Sequence, residues 1–284
     1  MRHIVSRSTP LLRVLATPLA STLLLGLCYS ASLANDGGIA QGGNPRLLHG
    51  HPAVSMESEV IRIKVGKDKI TVDCAFVFNN SSRACTARMG FPDIGLGAND
   101  PDAENGNSPM KTPPRTTFLS FTSDVNGRVL PTKLIRADRP GHFWHTKNVM
   151  FPAHQKTTVH DVYTQYLGGG LVDAKGGGGS VRHVSYILHT GASWHGNIKR
   201  SEILVTFEDA LVSDKMQLVP LSKVAKGDNG RGLKSALPAP NAIVWKGCSQ
   251  PTVQGRTVQF IRTNWKPKLQ DDIDLYFGYR SGTP

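Results

Sequence analysis

Hydrophobic and polar residues alternate along the chain from residue 55 onward. Ile61, Ile63 and Val65 alternate with Arg62 and Lys64, which is the period of two expected of a β-strand with one buried face. After the turn-like segment Gly66-Lys67-Asp68, a second set of apolar residues would share one face: Ile70, Val72, Cys74, Phe76 and Phe78. Similar segments recur up to residue 279, and no amphipathic helix of three or more turns interrupts them. The pattern predicts an all-β chain.

Turn signals separate the predicted strands. Asn126-Gly127, flanked by β-forming residues, is the strongest hairpin signal because both residues tolerate the positive φ of a two-residue turn. Many short strands with Gly, Pro and Asn turns predict an antiparallel sandwich, or two sandwich-like β layers with long Gly/Pro-rich loops. Three long polar or glycine-rich segments would be such loops: 92–115, 167–180 and 221–241. We interpret 167–180 as a flexible flap or hairpin tip.

The first 34 residues are predicted to be a signal peptide. Three arginines precede an uncharged stretch rich in Leu and Ala, residues 14–27, and Ser32-Leu33-Ala34 supplies small residues at the expected cleavage point. No later segment reaches the roughly 20 apolar residues that a membrane span requires. We therefore expect a mature β-rich domain of residues 35–284, without a membrane span and secreted or periplasmic. A subdivision of this domain near 167–180 or 221–241 stays open.

The charge balance suggests a kind of partner. The leader carries three arginines and no acid, so removing it lowers the formal net charge from +12 to +9. Outside the cytoplasm, this charge favours an anionic envelope polymer or another envelope protein as partner, although a merely solvated basic surface is an alternative. No segment interleaves basic and aromatic residues as a nucleic-acid platform would, so nucleic acid is not expected.

The mature chain keeps three cysteines, Cys74, Cys85 and Cys248. An oxidising compartment permits a disulfide. If residues 70–91 formed a hairpin around Asn79-Asn80, Cys74 would lie opposite Cys85, whereas a shift of one residue would place them on opposite faces. A Cys74–Cys85 disulfide and its absence are therefore both open, and Cys248 would be a buried free thiol.

The segment GASWHG, residues 191–196, holds the most suggestive group of polar side chains. Ser193 and His195 are two apart and would share a face in an extended chain, so they are the candidate catalytic pair. The spacing does not match a G-x-S-x-G nucleophile elbow, because His195 occupies the position of the second Gly. We favour a structural interpretation, in which this segment joins the strands on either side of it and Trp194 is buried over the sheet end.

Other side chains are candidates for binding. Trp144 and Trp194 could stack on a sugar ring if they were exposed, and His49-Gly50-His51 could bind a metal, although no zinc-finger or H-E-x-x-H spacing is present. Four carboxylates could serve a glycosidase if two of them faced each other: Glu57, Glu59, Asp161 and Glu202. No cofactor is predicted.

Four short motifs resemble an exported bacterial family that carries a domain of unknown function. The matching positions are Met56–Glu59, Phe91-Pro92, Thr190–Trp194 and Pro267–Asp272. The sequence departs from the family pattern at the cysteine pair 74 and 85, and at His195-Gly196-Asn197, where the family has Gly followed by Pro. The resemblance implies a β-rich secreted protein and supplies no activity or catalytic residues.

These observations predict an exported, non-enzymatic β-sandwich protein with a binding or structural role in the cell envelope. The first alternative is a secreted hydrolase that acts on glycans or esters. The second is an envelope protein that binds a metal through some of its nine mature-chain histidines.

Overall fold

A computed structural model describes seven segments of the chain: residues 41–49, 53–94, 116–137, 142–172, 179–208, 211–224 and 241–278. The predicted signal peptide 1–34 lies outside them, as do most of the loops 92–115 and 221–241. The described residues all belong to one compact unit, residues 32–284. Among them, no helix is long and apolar enough to cross a membrane.

The described part of the chain contains eighteen strands and three short 3₁₀ turns. The strands are β1 Gln41–Gly43, β2 Arg46–His49, β3 Val54–Val65, β4 Lys69–Asn80, β5 Cys85–Ile94, β6 Phe118–Val125, β7 Arg128–Val129, β8 Lys133–Arg136, β9 His142–Phe151, β10 Lys156–Tyr166, β11 Gly168–Val172, β12 Gly179–Ile187, β13 Ile198–Phe207, β14 Gln217–Pro220, β15 Ala242–Lys246, β16 Thr252–Gln254, β17 Thr257–Trp265 and β18 Ile273–Gly278. The 3₁₀ turns are His189–Ser193, Leu221–Lys223 and Leu269–Asp271.

The strands form two sheets that pack against each other around one hydrophobic core. The larger sheet has the order β14-β15-β18-β12-β1-β5-β9-β8, with β11 added to β12 and β2 to β5. The smaller sheet has the order β16-β17-β13-β3-β4-β10-β6-β7. The all-β, two-layer prediction is confirmed. Both sheets are mixed, because the pairs β1/β12, β3/β13 and β14/β15 are parallel.

The alternation in β3 and β4 produces the predicted buried face. Ile61, Ile63 and Val65 are buried, as are all five predicted residues of β4. The two strands form a hairpin in which Val65 pairs with Ile70, and the amide of Gly66 donates to the carbonyl of Lys69. The predicted Asn126-Gly127 turn joins β6 to β7, with φ of 52° and 75° at the two residues.

Two segments predicted as hairpins instead carry the chain from one sheet to the other. β4 belongs to the smaller sheet and β5 to the larger one, so the expected hairpin around Asn79-Asn80 is not formed. Asn80 is buried, and its side-chain amide donates to the carbonyls of Arg83, Phe151 and Pro152. Burial of Asn80 thus replaces the exposed turn that the sequence suggested.

This crossing corrects the disulfide prediction. Cys74 pairs with Ile61 and Asp161 in the smaller sheet, whereas Cys85 pairs with Phe151 in the larger one. The Cys74–Cys85 disulfide that the sequence left open is therefore not formed, and both residues are free thiols, as is the buried Cys248. Alternation alone cannot distinguish a hairpin from a crossing, because the core-facing residues alternate in either case.

The segment 185–207 is the second one that crosses between the sheets instead of forming a hairpin. β12 lies in the larger sheet and β13 in the smaller one, so they are not partner strands, and GASWHG is a crossing between the layers. The glycine-rich segment does form the predicted hairpin where it is described, because β11 pairs antiparallel with β12 from Gly168–His183 to Val172–Gly179. Its tip, 173–178, lies outside the described residues.

Candidate functional site

The crossing at His189–Ser193 is held by contacts to the start of the described chain and to its last strand. Thr190 donates to the carbonyl of Asn44 over 2.6 Å. The Asp272 carboxylate accepts hydrogen bonds from the backbone amides of Leu188 and His189 at 2.8 and 3.0 Å. Its other oxygen lies 2.8 Å from Nδ1 of the His189 ring. Asp272, the last residue of the motif 267–272, therefore binds the two residues that precede the motif 190–194, and these contacts form a structural junction.

The candidate catalytic residues Ser193 and His195 are not brought together in a way that suggests catalysis. The Ser193 hydroxyl donates to the carbonyl of Thr190 and accepts from the amide of Leu47, both over 2.9 Å. The side chain of His195 is exposed, and its backbone amide donates to the carbonyl of Val54. Within the described segments, no hydrogen bond joins the two side chains. Ser193 therefore supports the backbone of the crossing.

Trp194 is buried rather than available for a ligand. Its ring is 2% exposed and lies 4.4 Å from the ring of Phe78, between centroids. Its indole N–H donates to the carbonyl of Pro45 over 2.9 Å. Trp194 is therefore a core residue that also satisfies a backbone carbonyl.

Several histidines of the described residues pair with carboxylates, and they do not gather into a metal site. His145 contacts the buried Asp93, His183 contacts Asp274, and His189 contacts Asp272. The described residues contain no group of three or more His, Cys, Asp or Glu side chains that could hold a metal. Of the candidate metal ligands, His51 lies outside those residues and His49 is described only as the last backbone position of β2.

The candidate glycosidase carboxylates have other roles. Glu59 and Asp161 are fully buried in the core. Glu57 contacts Lys156 and Lys199, while Glu202 contacts Arg200. Asp161 contacts Lys147, so three of the four are paired with cations, and Glu59 faces the interior.

A different site lies on the larger sheet. Three arginines and one tryptophan surround a hollow of about 300 Å³, with three apolar side chains between them. We call it the arginine–tryptophan hollow, and its lining residues are Arg46, Arg88, Arg136 and Trp144, with Leu48, Ile135 and Ala137. They come from β2, β5, β9, β8 and the residue after β8.

The strand geometry explains how Trp144 reaches this hollow. Its neighbour Phe143 is buried towards the core, so Trp144 projects from the opposite face of β9, where it is half-buried. A Cβ on Gly90 of the adjoining strand β5 would lie 3.0 Å from Trp144 Cε3 and 2.7 Å from Leu48 Cδ1. Gly90 therefore makes room for both side chains to lie close against the sheet.

Register brings the arginines to the same place. Arg46 of β2 pairs with Gly90, and its guanidinium carbon lies 5.8 Å from the centre of the Trp144 ring. Arg88 is two residues before Gly90 on β5 and therefore projects from the same face. Ile135 of β8 pairs with Trp144, and the next residue, Arg136, also lines the hollow.

Among the described residues, the hollow is lined by three positively charged arginines and by no carboxylate. No carboxylate of the described residues forms an ion pair with Arg46, Arg88 or Arg136, whereas Arg200 on the smaller sheet has such a partner in Glu202. Like charges that share a hollow repel each other, and a bound anion would relieve this repulsion. Guanidinium groups present a planar fork of donors that matches carboxylate or phosphate oxygens, and the indole adds an apolar face. The arrangement is suited to an anion attached to a ring.

The sequence indicated only one member of this site. Trp144 was a candidate for ring stacking, whereas the three arginines come from strands far apart in the chain and carry no motif. The available signal was weak: polar positions at 46, 88 and 136 in three strands whose pairing could not be known in advance.

The comparisons with known proteins bear on the fold. A Legionella pneumophila protein described as a "putative nutrient binding protein" matches with a TM-score of 0.57 at 19% identity, over 85% of this chain and 72% of that one. At this identity, the likeness shows a shared fold.

Two other matches are weaker. The M1 zinc metallopeptidase of Deinococcus radiodurans has a TM-score of 0.34 at 8% identity, and yeast LTA4 hydrolase has 0.41 at 10%. The aligned regions cover 80% and 84% of this chain but only 43% and 31% of those enzymes. Such scores carry no inference about activity. No family model matches the sequence, and no curated protein does.

Proposed function

We propose that this protein is an exported, non-enzymatic binding protein of the cell envelope, and that the arginine–tryptophan hollow holds an anionic, ring-bearing ligand such as an acidic glycan. The observation that carries the proposal is that Arg46, Arg88 and Arg136 line one hollow with Trp144, with Arg46 over the indole ring, and that no carboxylate of the described residues pairs with these arginines. The hollow is at the small end of the range of ligand pockets, which suits one or two sugar units.

Several further observations support a binding role. The Legionella protein that shares the fold is described as nutrient binding. The net positive charge of the mature chain favours anionic partners outside the cytoplasm. The resemblance to an exported family of unknown function agrees with the predicted signal peptide. Hydrolysis is disfavoured because the Ser193 hydroxyl is engaged with backbone groups.

The experiment is a calorimetric titration with a purified oligogalacturonate, whose sugar units each carry a carboxylate, and with its methyl ester, in which that charge is removed. We expect the acid to bind and the ester to bind at least about tenfold more weakly, since a desolvated charged hydrogen bond contributes about 1.5–3 kcal/mol. Replacement of all three arginines by Gln should abolish binding of the acid.

A matched control removes the same amount of charge elsewhere. The triple variant Arg62→Gln, Arg83→Gln and Arg128→Gln changes three exposed arginines that do not line the hollow. It should bind like the wild type at equal ionic strength. Equal weakening by both triple variants would reduce the effect to net charge and would contradict the proposed site.

A further inference from the structure

Lys147 and Asp161 meet inside the sandwich, from opposite layers. Lys147 lies on β9 of the larger sheet, and Asp161 lies on β10 of the smaller one. The Lys147 Nζ contacts Asp161 Oδ1, and it donates to the Ser123 hydroxyl over 2.5 Å. The two side chains are 2% and 0% exposed. An amine and a carboxyl group are thus held together in the core.

No other lysine–carboxylate pair of the described residues is comparable. Lys156 and Lys199, which contact Glu57, are each 65% exposed, and Lys246, which contacts Asp274, is 36% exposed. Water therefore reaches those three lysine amines. The pair Lys147–Asp161 is the one whose amine and carboxylate are both removed from water.

The hydrogen-bonding groups of this buried pair are incompletely satisfied. Among the described residues, Asp161 Oδ2 is buried without a hydrogen-bond partner, and the ammonium, which has three N–H donors, contacts only Asp161 and Ser123. A buried ion pair is favourable only when its remaining hydrogen-bonding groups are satisfied. Transfer of one proton from the ammonium to the carboxylate gives an amine and a carboxylic acid, which are the two groups that condense to an amide.

We propose that Lys147 and Asp161 condense to an intramolecular isopeptide bond that joins the two sheets. The neutral amine forms a bond from Nζ to Asp161 Cγ, and the bond from Cγ to the hydroxyl oxygen breaks. That hydroxyl leaves with one amine proton as water, so the product is a secondary amide that keeps one N–H. No oxidant, reductant or activated donor is needed.

Ser123 is placed to support this step. Its hydroxyl lies 2.5 Å from the nitrogen, so it can accept a proton from nitrogen as the new bond forms and return one to the departing hydroxyl. After condensation it remains the acceptor for the amide N–H. Fixed proximity of two reacting groups corresponds to effective concentrations as high as about 10⁵–10⁸ M, and exclusion of water disfavours the reverse hydrolysis.

The test is mass spectrometry of the purified full chain after denaturation and reduction. Wild-type protein should be lighter than its sequence by one water molecule. Trypsin should fail to cut after Lys147, and it should release a branched peptide in which residues 137–156 are joined to residues 157–175. The branched peptide locates the bond regardless of where the chain begins.

Variants make the assignment specific. The Lys147→Met chain should have its full sequence mass, whereas the matched Lys246→Met chain should still lack one water. Because Lys147→Met leaves Asp161 buried without its cation, the double variant Lys147→Met/Asp161→Leu provides a second unlinked chain without that buried charge. Cleavage after Lys147 in the wild type together with its full mass would overturn the proposal, and so would loss of water in the unlinked variants.

Discussion

Trp194 donates its indole hydrogen to the carbonyl oxygen of Pro45 over 2.9 Å, and this bond joins the crossing between the sheets to the connection from β1 to β2. The same ring lies against Phe78 and Phe151, one from each sheet. One side chain therefore packs both layers and satisfies a backbone acceptor. This explains the prominent Gly/Trp segment of the sequence without any catalytic role.

Replacement of Trp194 should destabilise the fold strongly. Trp194→Ala removes a fully buried ring and leaves the Pro45 carbonyl without its donor, so we expect the free energy of unfolding to fall by about 3–5 kcal/mol. Urea denaturation followed by circular dichroism measures this loss. Trp144→Ala is the matched control, because the half-buried Trp144 should change stability by less than half as much. Equal losses of unfolding free energy in the two variants would contradict the assignment of Trp194 to the core and of Trp144 to the hollow.

Ser193→Ala tests the hypothesis that Ser193 supports the backbone of the crossing and is not catalytic. The variant removes one donor to Thr190 and one acceptor for the Leu47 amide, so stability should fall by about 1 kcal/mol. Any turnover of a p-nitrophenyl ester by the purified protein should be the same in wild type, Ser193→Ala and His195→Ala. Turnover that disappears with either replacement would make the pair catalytic.

Glu59 should make stability depend on pH. Burial raises the pKa of Glu59 to about 7 from an ordinary value of 4.5, and this effect outweighs the opposing effect of Ser201 and Asn44, which lower the pKa. The folded protein holds this proton more tightly than the unfolded chain. The contribution of Glu59 is therefore complete below pH 4.5, is lost as pH rises to about 7, and amounts to about 3 kcal/mol.

Urea denaturation from pH 4 to pH 8 measures this contribution as the difference in unfolding free energy between wild type and Glu59→Gln. The difference should change by about 3 kcal/mol across the range, with the wild type losing stability at the higher pH. Glu57→Gln provides a control of opposite sign, since hydrogen bonds from Lys156 and Lys199 lower the pKa of Glu57. A flat difference for Glu59→Gln would show that its carboxyl group is solvated.

The cysteines should all react as thiols. Without reductant, unfolded mature protein should give three equivalents with DTNB, because Cys74, Cys85 and Cys248 are free. In the folded protein, Cys85 should react first, since Cys74 and Cys248 are buried and burial raises the pKa of both thiols, that of Cys248 to about 12. A single reactive thiol in the unfolded chain would show that Cys74 and Cys85 are joined by a disulfide.

The sequence predicted the strands better than their partners. Alternation identified the buried faces of β3 and β4 because one residue in two must face the core, whichever strand lies alongside. It could not show that β4 and β5, or β12 and β13, lie in different sheets, because a crossing and a hairpin impose the same alternation. The burial of Asn80, which decides the first case, depends on carbonyls of Phe151 and Pro152 that are about seventy residues away.

The candidate site was harder to predict for the same reason. Arg46, Arg88 and Arg136 meet only because β2, β5, β9 and β8 are neighbours in one sheet, and nothing in their local sequences specifies that order. Gly90 gave no signal either, since its role is to leave space for Trp144 and Leu48. By contrast, Trp194 could be assigned to the core because a tryptophan between two glycines at a strand end suggests packing.

The most direct test of the binding site is chemical protection of its arginines. Phenylglyoxal modification of the folded protein, mapped by mass spectrometry, is compared with and without saturating oligogalacturonate. We expect the ligand to slow modification of Arg46, Arg88 and Arg136. The rates of modification of Arg62 and Arg128 should not change. Protection of Arg62 and Arg128 with continued reaction at the three arginines of the hollow would contradict it.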